Sequence, residues 1–304
     1  MSDTVYGVWA PALTPLQKDL TIDFPAMLSH VKWLLSNRCN GVALFGTTGE
    51  APSFSVAERI TALEYLLAHN VSPQHLMIGN GFSAPTDTIE VTRHAVESGC
   101  KTVLMIPPFY FKDLSADGIA SSYRHVLDHV NEPELRVVLY HFPKLSMAPI
   151  SHDLIRLLIE SHGQVIAALK DSSGDWTGTQ EYIEQFPTLS ILVGNEVFLL
   201  RALDIGGAGT ITATANINPD GIRNVFDQWL INDDAKQQQR QADEIRTIVS
   251  KYPLAAALKS VLAVHRGKPK WLRVRPPLTE LSSSEIAELI DALQRVGFEL
   301  PASM

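Results

Sequence analysis

Eight short apolar runs punctuate the first 230 or so residues, and the stretches between them carry apolar positions at helical spacing. The runs cover 6–13, 41–45, 76–79, 102–107, 136–142, 165–170, 191–194 and 209–215. Most are almost unbroken in apolar residues, the pattern of strands buried on both faces. Residues 25–36 set Met27, Val31 and Leu34 or Leu35 on one side, and residues 56–68 do the same with Ile60, Leu63 and Leu67. Helix starts are marked too. Ser55 with Glu58 three positions on has the form of a capping box, and Ser151 precedes the apolar stretch 153–159. Eight strand–helix alternations predict the α/β class and a closed (β/α)8 TIM barrel rather than an open doubly wound sheet.

Past about residue 232 the strand pattern stops. Residues 234–250 read as a polar amphipathic helix rich in Gln and charge, and 253–265 as an apolar one. Residues 284–296 form a third, opened by Ser282-Ser283-Ser284-Glu285. The chain therefore divides into a barrel over 1–231 and a C-terminal helical region over 232–304.

Composition narrows the function classes. The 304 residues are 45% hydrophobic, enough for a large barrel core, and the net charge is −8. With no dense basic stretch, nucleic acid is not an expected partner. Met1-Ser2-Asp3-Thr4 lacks a basic region followed by an apolar core, so no secretory leader is expected, and no apolar run has the length of a membrane span. Cys39 and Cys100, the only cysteines, fall in helix-to-strand connections and give no argument for a disulfide. A reducing cytoplasm is the expected setting.

In such a barrel the chemistry sits where strands end. Run two ends in Gly46-Thr47-Thr48-Gly49-Glu50, run four in Pro107-Pro108-Phe109-Tyr110, and run five carries Tyr140 before His141-Phe142-Pro143. Run six ends at Lys170, followed by Asp171-Ser172-Ser173-Gly174-Asp175. Run seven ends in Gly194-Asn195-Glu196, and run eight in Thr214-Ala215-Asn216. A part-buried lysine loses its proton readily, and the neutral amine forms Schiff bases with ketones. A strand-end lysine can equally snorkel to water. Glycines and consecutive amides in the strand-two loop suit a carboxylate, although an ordinary turn has the same composition. Tyr140 can relay protons or simply fill the barrel. Gly206-Gly207-Ala208-Gly209 reads first as a tight turn into strand eight and second as a phosphate loop. His125 and His129 lack the glutamate and third ligand of a zinc site, so no metal is expected. No Gly-x-Ser-x-Gly elbow occurs.

Taken together, these residues resemble the dihydrodipicolinate synthase / N-acetylneuraminate lyase family of class I aldolases. The resemblance rests on Gly46-Thr47-Thr48-Gly49-Glu50, Pro108-Phe109-Tyr110, Tyr140 with Pro143, Lys170-Asp171-Ser172-Ser173-Gly174-Asp175, Gly206-Gly207-Ala208-Gly209, Asn216 and Arg275-Pro276-Pro277-Leu278. It implies a Schiff base between Lys170 and pyruvate or a longer 2-oxo acid, cleaving or forming a carbon–carbon bond with an aldehyde, without metal or organic cofactor. It implies that Tyr140 shuttles protons and that Thr47 links it to Tyr110 lent by a neighbouring subunit of a homotetramer. It places Gly46, Thr48, Gly49, Ile211 and Glu196 at the substrate. One departure concerns Leu145, which stands where authentic 4-hydroxy-tetrahydrodipicolinate synthases carry an arginine for the second substrate's carboxylate. An aliphatic side chain cannot make that contact. Lys144 lies one position away. Phe109, Phe111, Phe142 and Met147 suggest a less polar tail pocket. Two other readings stay open: an authentic synthase, and a non-catalytic 2-oxo acid binder.

Overall fold

The structure, a computed structural model, describes residues 5–301. Met1, Ser2, Asp3 and Thr4, whose composition bears on a leader segment, lie outside them. Eight parallel strands close on themselves in sequence order, with β1 pairing both β2 and β8. They are β1 (Gly7–Pro11), β2 (Gly41–Leu44), β3 (Leu76–Asn80), β4 (Thr102–Met105), β5 (Arg136–His141), β6 (Ile166–Asp171), β7 (Ser190–Val193) and β8 (Gly209–Ile211). Between them run α1 (Phe24–Ser36), α2 (Val56–Ala68), α3 (Pro85–Glu97), α4 (Ala116–Val130), the single turn α5 (Pro143–Ser146), α6 (His152–His162), α7 (Trp176–Gln185) and α8 (Leu199–Leu203). Then come α9 (Pro219–Leu230), α10 (Lys236–Val249), α11 (Leu254–His265) and α12 (Ser283–Arg295). This is the (β/α)8 TIM barrel with C-terminal helices.

Both capping boxes form. Ser55 opens α2 with Glu58, and Ser282 opens α12 with Glu285. Ser151 caps α6 through the Leu154 amide. Strand residues alternate between two cores, as a closed barrel requires. Trp9, Ala43, Met77, Leu104, Val138, Tyr140, Ala168, Leu192 and Ile211 fill the inside. Val8, Val42, Ile78, Val103, Leu139, Leu169 and Ile191 pack outward on the helices. A third cluster joins α10, α11 and α12 to Leu13, Ala213 and Ile217 at the β1 and β8 ends of the barrel. The C-terminal helices are thereby docked over the mouth where the strands end.

A buried ion pair fastens that docking. Glu50 of the strand-two loop pairs with Lys259 of α11, and neither side chain is exposed. The second oxygen of Glu50 accepts the Arg275 amide at 2.8 Å, and the Lys259 amine donates to the Arg273 carbonyl at 2.7 Å. A pair so deeply buried is tolerated because its remaining hydrogen-bonding capacity is also filled.

Several sequence expectations land elsewhere. The run 209–215 ends as a strand at Ile211, and Ala213–Asn216 form a 3-10 turn. Asn216 holds that turn: its amide donates to the Pro11 and Ala213 carbonyls, and its oxygen accepts the Leu13 amide. Gly206 and Gly207 make the turn into β8, at the end of the barrel opposite Lys170, so the phosphate-loop reading has no place at the site. His125 and His129 lie on the exposed face of α4, their rings tilted with centres 4.2 Å apart. Among the described residues no group of three or more His, Cys, Asp or Glu could hold a metal. No single helix among them is long and apolar enough to cross a membrane. Cys39 and Cys100 are buried free thiols, each pushed up to about 12 by burial.

Candidate active site

Lys170 reaches the barrel interior by strand alternation. Ala168 lies inside and Leu169 outside, so Lys170 faces in again. Its neighbour across the ladder is Tyr140, likewise two residues beyond an inward side chain, Val138. The two form the upper layer of the inner core at the end where the strands finish.

At that level the lysine is 4% exposed. Its Nζ lies 4.2 Å from the centre of the Tyr140 ring, and no salt bridge to it exists among the described residues. The adjacent carboxylate, Asp171, is engaged elsewhere. It is the last residue of β6 rather than part of the loop, and it accepts from the Ser173 amide at 2.8 Å and the Thr179 hydroxyl of α7 at 2.5 Å. Burial without a counter-ion disfavours the ammonium. The Lys170 pKa is pushed down to about 7, first by burial and second by the positive charge of Arg246. Near neutral pH a substantial share of this amine is therefore unprotonated and nucleophilic.

The phenol of Tyr140 meets the Thr47 hydroxyl at 3.2 Å. Burial raises its pKa, and hydrogen bonding to Thr47 and Ser172 pulls against that. The phenol thus stays protonated and keeps hydroxyl partners, as a proton shuttle needs. Gly194 lets β7 close in beside this group. A Cβ there would stand 2.0 Å from the Ser172 hydroxyl oxygen and 2.9 Å from the Asp171 carbonyl oxygen.

A cavity of about 500 Å³ opens above the lysine. Pro11, Thr47, Thr48, Tyr140, Lys170 and Ile211 line its barrel side, and Pro253 to Ala256 of the α11 start close it from the C-terminal region. Phe142, Lys144, Leu145, Ser172, Asn195 and Arg246 complete the wall. A second cavity of about 660 Å³ shares Thr47, Tyr140 and Leu145 with it.

The structure thus gathers Lys170, Tyr140, Thr47, Thr48 and Ile211 around one space, and sends other expected residues elsewhere. Gly46 lines the second cavity. Gly49 lines neither: it packs where a Cβ would sit 2.7 Å from the Ala12 carbonyl oxygen, and its own carbonyl accepts the Thr14 hydroxyl at 2.8 Å. Glu196 is fully covered behind the wall, where its carboxylate accepts from the Thr212 and Thr214 hydroxyls. Tyr110 is 72% exposed, edge-on to Phe111, and lines neither cavity of this chain. The apolar tail pocket also thins out. Of its four candidates only Phe142 lines the lysine cavity; Phe109 lines the second one, while Phe111 and Met147 are exposed.

Arg246 is the residue that sequence reasoning passed over. It sits on α10, whose sequence reads as a polar amphipathic helix rich in Gln and charge. Yet Gln239, Ala242, Arg246 and Val249 share one stripe, and that stripe faces the barrel. Gln239 donates to the Glu196 carbonyl at 2.8 Å and accepts the Leu200 amide at 3.0 Å. Arg246 Nη1 reaches Glu196 at 3.4 Å and Thr212 at 3.3 Å. A basic residue interrupting an apolar stripe was the available signal.

The Dihydrodipicolinate synthetase family model matches residues 4–296. An uncharacterized DapA-like lyase of Chloroflexus aurantiacus is 36% identical over 291 residues, covering 95% of this chain and 96% of that protein. Dihydrodipicolinate synthase of Agrobacterium tumefaciens superposes with a TM-score of 0.88 at 28% identity, covering 96% of this chain and 99% of its own. The prophage protein YagE of Escherichia coli, solved in complex with pyruvate, superposes with a TM-score of 0.87 at 25% identity, with coverage of 96% and 98%. With nearly its whole length matched and a buried lysine at the working end of the barrel, the chain belongs to the dihydrodipicolinate synthetase family and is an aldolase or lyase of that family.

Proposed function

We propose that this protein forms a Schiff base between Lys170 and pyruvate, and makes or breaks a carbon–carbon bond between pyruvate and an aldehyde. The observation that carries the reading is the placement of Lys170. It is a buried amine without a counter-ion, its pKa is lowered to about 7, and it lies against a tyrosine that holds a threonine hydroxyl. The structure of YagE with pyruvate supports the choice of donor.

The chemistry follows from these groups. The neutral amine adds to the ketone carbon of pyruvate, and Tyr140 delivers a proton to the oxygen. The tyrosinate takes the extra proton from the nitrogen and passes it to that hydroxyl, which leaves as water and gives the iminium. Tyr140, again deprotonated, then takes a proton from carbon 3, and the electron pair released flows into the iminium, giving an enamine. Attack of the enamine on an aldehyde forms the new bond, and Tyr140 protonates the resulting alkoxide. Run backwards, the same steps cleave a longer 2-oxo acid. Thr48 and the loop amides hold the pyruvate carboxylate, and Thr47 links Tyr140 to Tyr110. No metal or organic cofactor takes part in this scheme.

Assembly belongs to the same proposal. Tyr110, Phe111, Leu114, Leu145 and Met147 are all exposed on the loops after β4 and β5. Such a patch suits a subunit interface. Across it Tyr110 would enter a neighbour's site and meet Thr47, within a homotetramer working in the cytoplasm.

The test is borohydride reduction with pyruvate, read by intact mass and peptide mapping. A stable adduct on Lys170 is the expected result. A folded protein with no adduct there would exclude the aldolase reading in favour of a non-catalytic binder.

A further inference from the structure

The cavity above Lys170 has an uneven charge. Lys144 and Arg246 line it along with the catalytic lysine, and no carboxylate lines it among the described residues. Glu196 stands behind the wall, accepts from two threonine hydroxyls and pairs with Arg246 at 3.4 Å. That is long for a charge-assisted contact, which is normally 2.7–2.9 Å. The Arg246 Nε is buried and has no hydrogen-bond partner. A buried guanidinium N–H is rarely left so, because its desolvation goes uncompensated. Glu196 and Thr212 hold Arg246 through Nη1 and Gln239 fixes the Glu196 backbone, while Nε has no partner.

We propose that Arg246 binds a second carboxylate on the substrate, so that the enzyme acts on 2-oxo acids whose tail ends in an acid group. This rests on the reading of Lys170 as the imine-forming residue. The first carboxylate belongs to Thr48 and the strand-two loop amides, the ketone to Lys170, and the tail to the α10 side of the cavity. The exposed Lys144 adds a second cation at the rim. With leucine at position 145, anion recognition moves from the loop after β5 to a helix outside the barrel proper. Of Phe109, Phe111, Phe142 and Met147, from which an apolar tail was expected, only Phe142 lines the cavity, and the tail inferred here is acidic.

Two five-carbon probes separate the possibilities: 2-oxoglutarate, with a terminal carboxylate, and 2-oxopentanoate, with a methyl group in its place. Each is trapped on Lys170 with borohydride over a concentration series, with pyruvate as the control. The wild-type protein is expected to half-saturate with 2-oxoglutarate at a concentration at least about tenfold lower than with 2-oxopentanoate. Arg246→Gln is expected to bring that ratio close to one. The ratio is independent of the amine's own pKa, since both acids meet the same lysine. A pyruvate adduct with no preference between the longer acids overturns the proposal and leaves the Schiff-base reading standing. So does a pyruvate adduct with neither longer acid trapped. A preference that survives in a folded Arg246→Gln overturns the assignment to Arg246, and Arg246→Met, which also removes the charge and carries the same expectation, substitutes if the glutamine variant does not fold. Absence of any pyruvate adduct overturns the Schiff-base reading, and this proposal with it.

Discussion

Lys170 and Tyr140 face each other across adjacent parallel strands, with the amine 4.2 Å from the ring centre and the phenol bonded to Thr47. The shared register fixes both at one height, so the proposed nucleophile and proton shuttle are set by the barrel itself rather than by a loop. Sites built on such elements hold their geometry closely.

Imine formation should follow the neutral amine. With the Lys170 pKa near 7, the rate of pyruvate imine formation at subsaturating pyruvate is expected to rise through neutral pH and level off above about 8. Arg246 contributes to holding that value down, so Arg246→Gln should move the midpoint to higher pH. Stopped-flow trapping over pH 5–9 checks both, and an unmoved midpoint would count against the electrostatic role.

Removing the phenol should slow every proton transfer without removing the nucleophile. Tyr140→Phe is expected to lower turnover by about 10²–10⁴-fold while still giving a borohydride adduct, formed slowly. Thr47→Ala should cost less, because Ser172 remains bonded to the phenol. Steady-state kinetics beside adduct mass distinguishes the two. Full activity in Tyr140→Phe would exclude the relay.

The buried Lys170 amine should cost stability. Its folded pKa of about 7 lies below the ordinary 10.5, so between these values the unfolded chain holds a proton that the folded one lacks. Stability therefore rises with pH across that window, and the full penalty applies below pH 7. Lys170→Met removes the penalty, worth up to roughly 4 kcal/mol at pH 7. Denaturant unfolding at pH 7 is expected to show an inactive but more stable protein, with the gain shrinking toward pH 10. A less stable Lys170→Met would mean that the buried amine is better compensated than its surroundings indicate.

Glu50 belongs to a loop motif that reads as substrate-binding, yet its carboxylate clamps α11. Glu50→Gln leaves Lys259 charged and buried, and should destabilise by about 3–5 kcal/mol. The double change Glu50→Gln with Lys259→Met should lose less than either single change suggests, because no uncompensated charge remains. Urea midpoints of the three variants check this, and additive losses would contradict it.

The strands were legible because burial on both faces forces near-continuous apolar runs, and eight of them in alternation leave little choice of fold. Lys170 was legible because a charged residue ending such a run stands out. Strand ends were less so. Asp171 looks like a loop residue but is satisfied inside by Thr179, and the apolar 212–215 stretch leaves the sheet because Asn216 bonds back to Pro11. Arg246 was hidden for a different reason: its helix is polar by composition, and only docking onto Glu196 and Thr212 turns that arginine toward the lysine cavity. Glu196 was misplaced for the same cause, since the two threonines that claim it come from a different strand end.

Tyr110 offers the sharpest test of assembly. In one chain it is exposed and lines neither cavity. If it serves a neighbour's site, Tyr110→Phe and Lys170→Ala each inactivate a different half of a shared centre. Subunits of the two variants, unfolded together and refolded at equal amounts, should then form hybrid pairs in which one site is intact. With random pairing, half of the pairs are hybrids and each carries one good site of two, so about a quarter of wild-type activity should return. Recovery depends on subunit exchange and not on concentration, so simple mixing of the folded variants should give little. If the refolded mixture stays as inactive as its components, Tyr110 either acts within its own chain or not at all. Light scattering on the same samples would show whether the exposed loops after β4 and β5 form the contact.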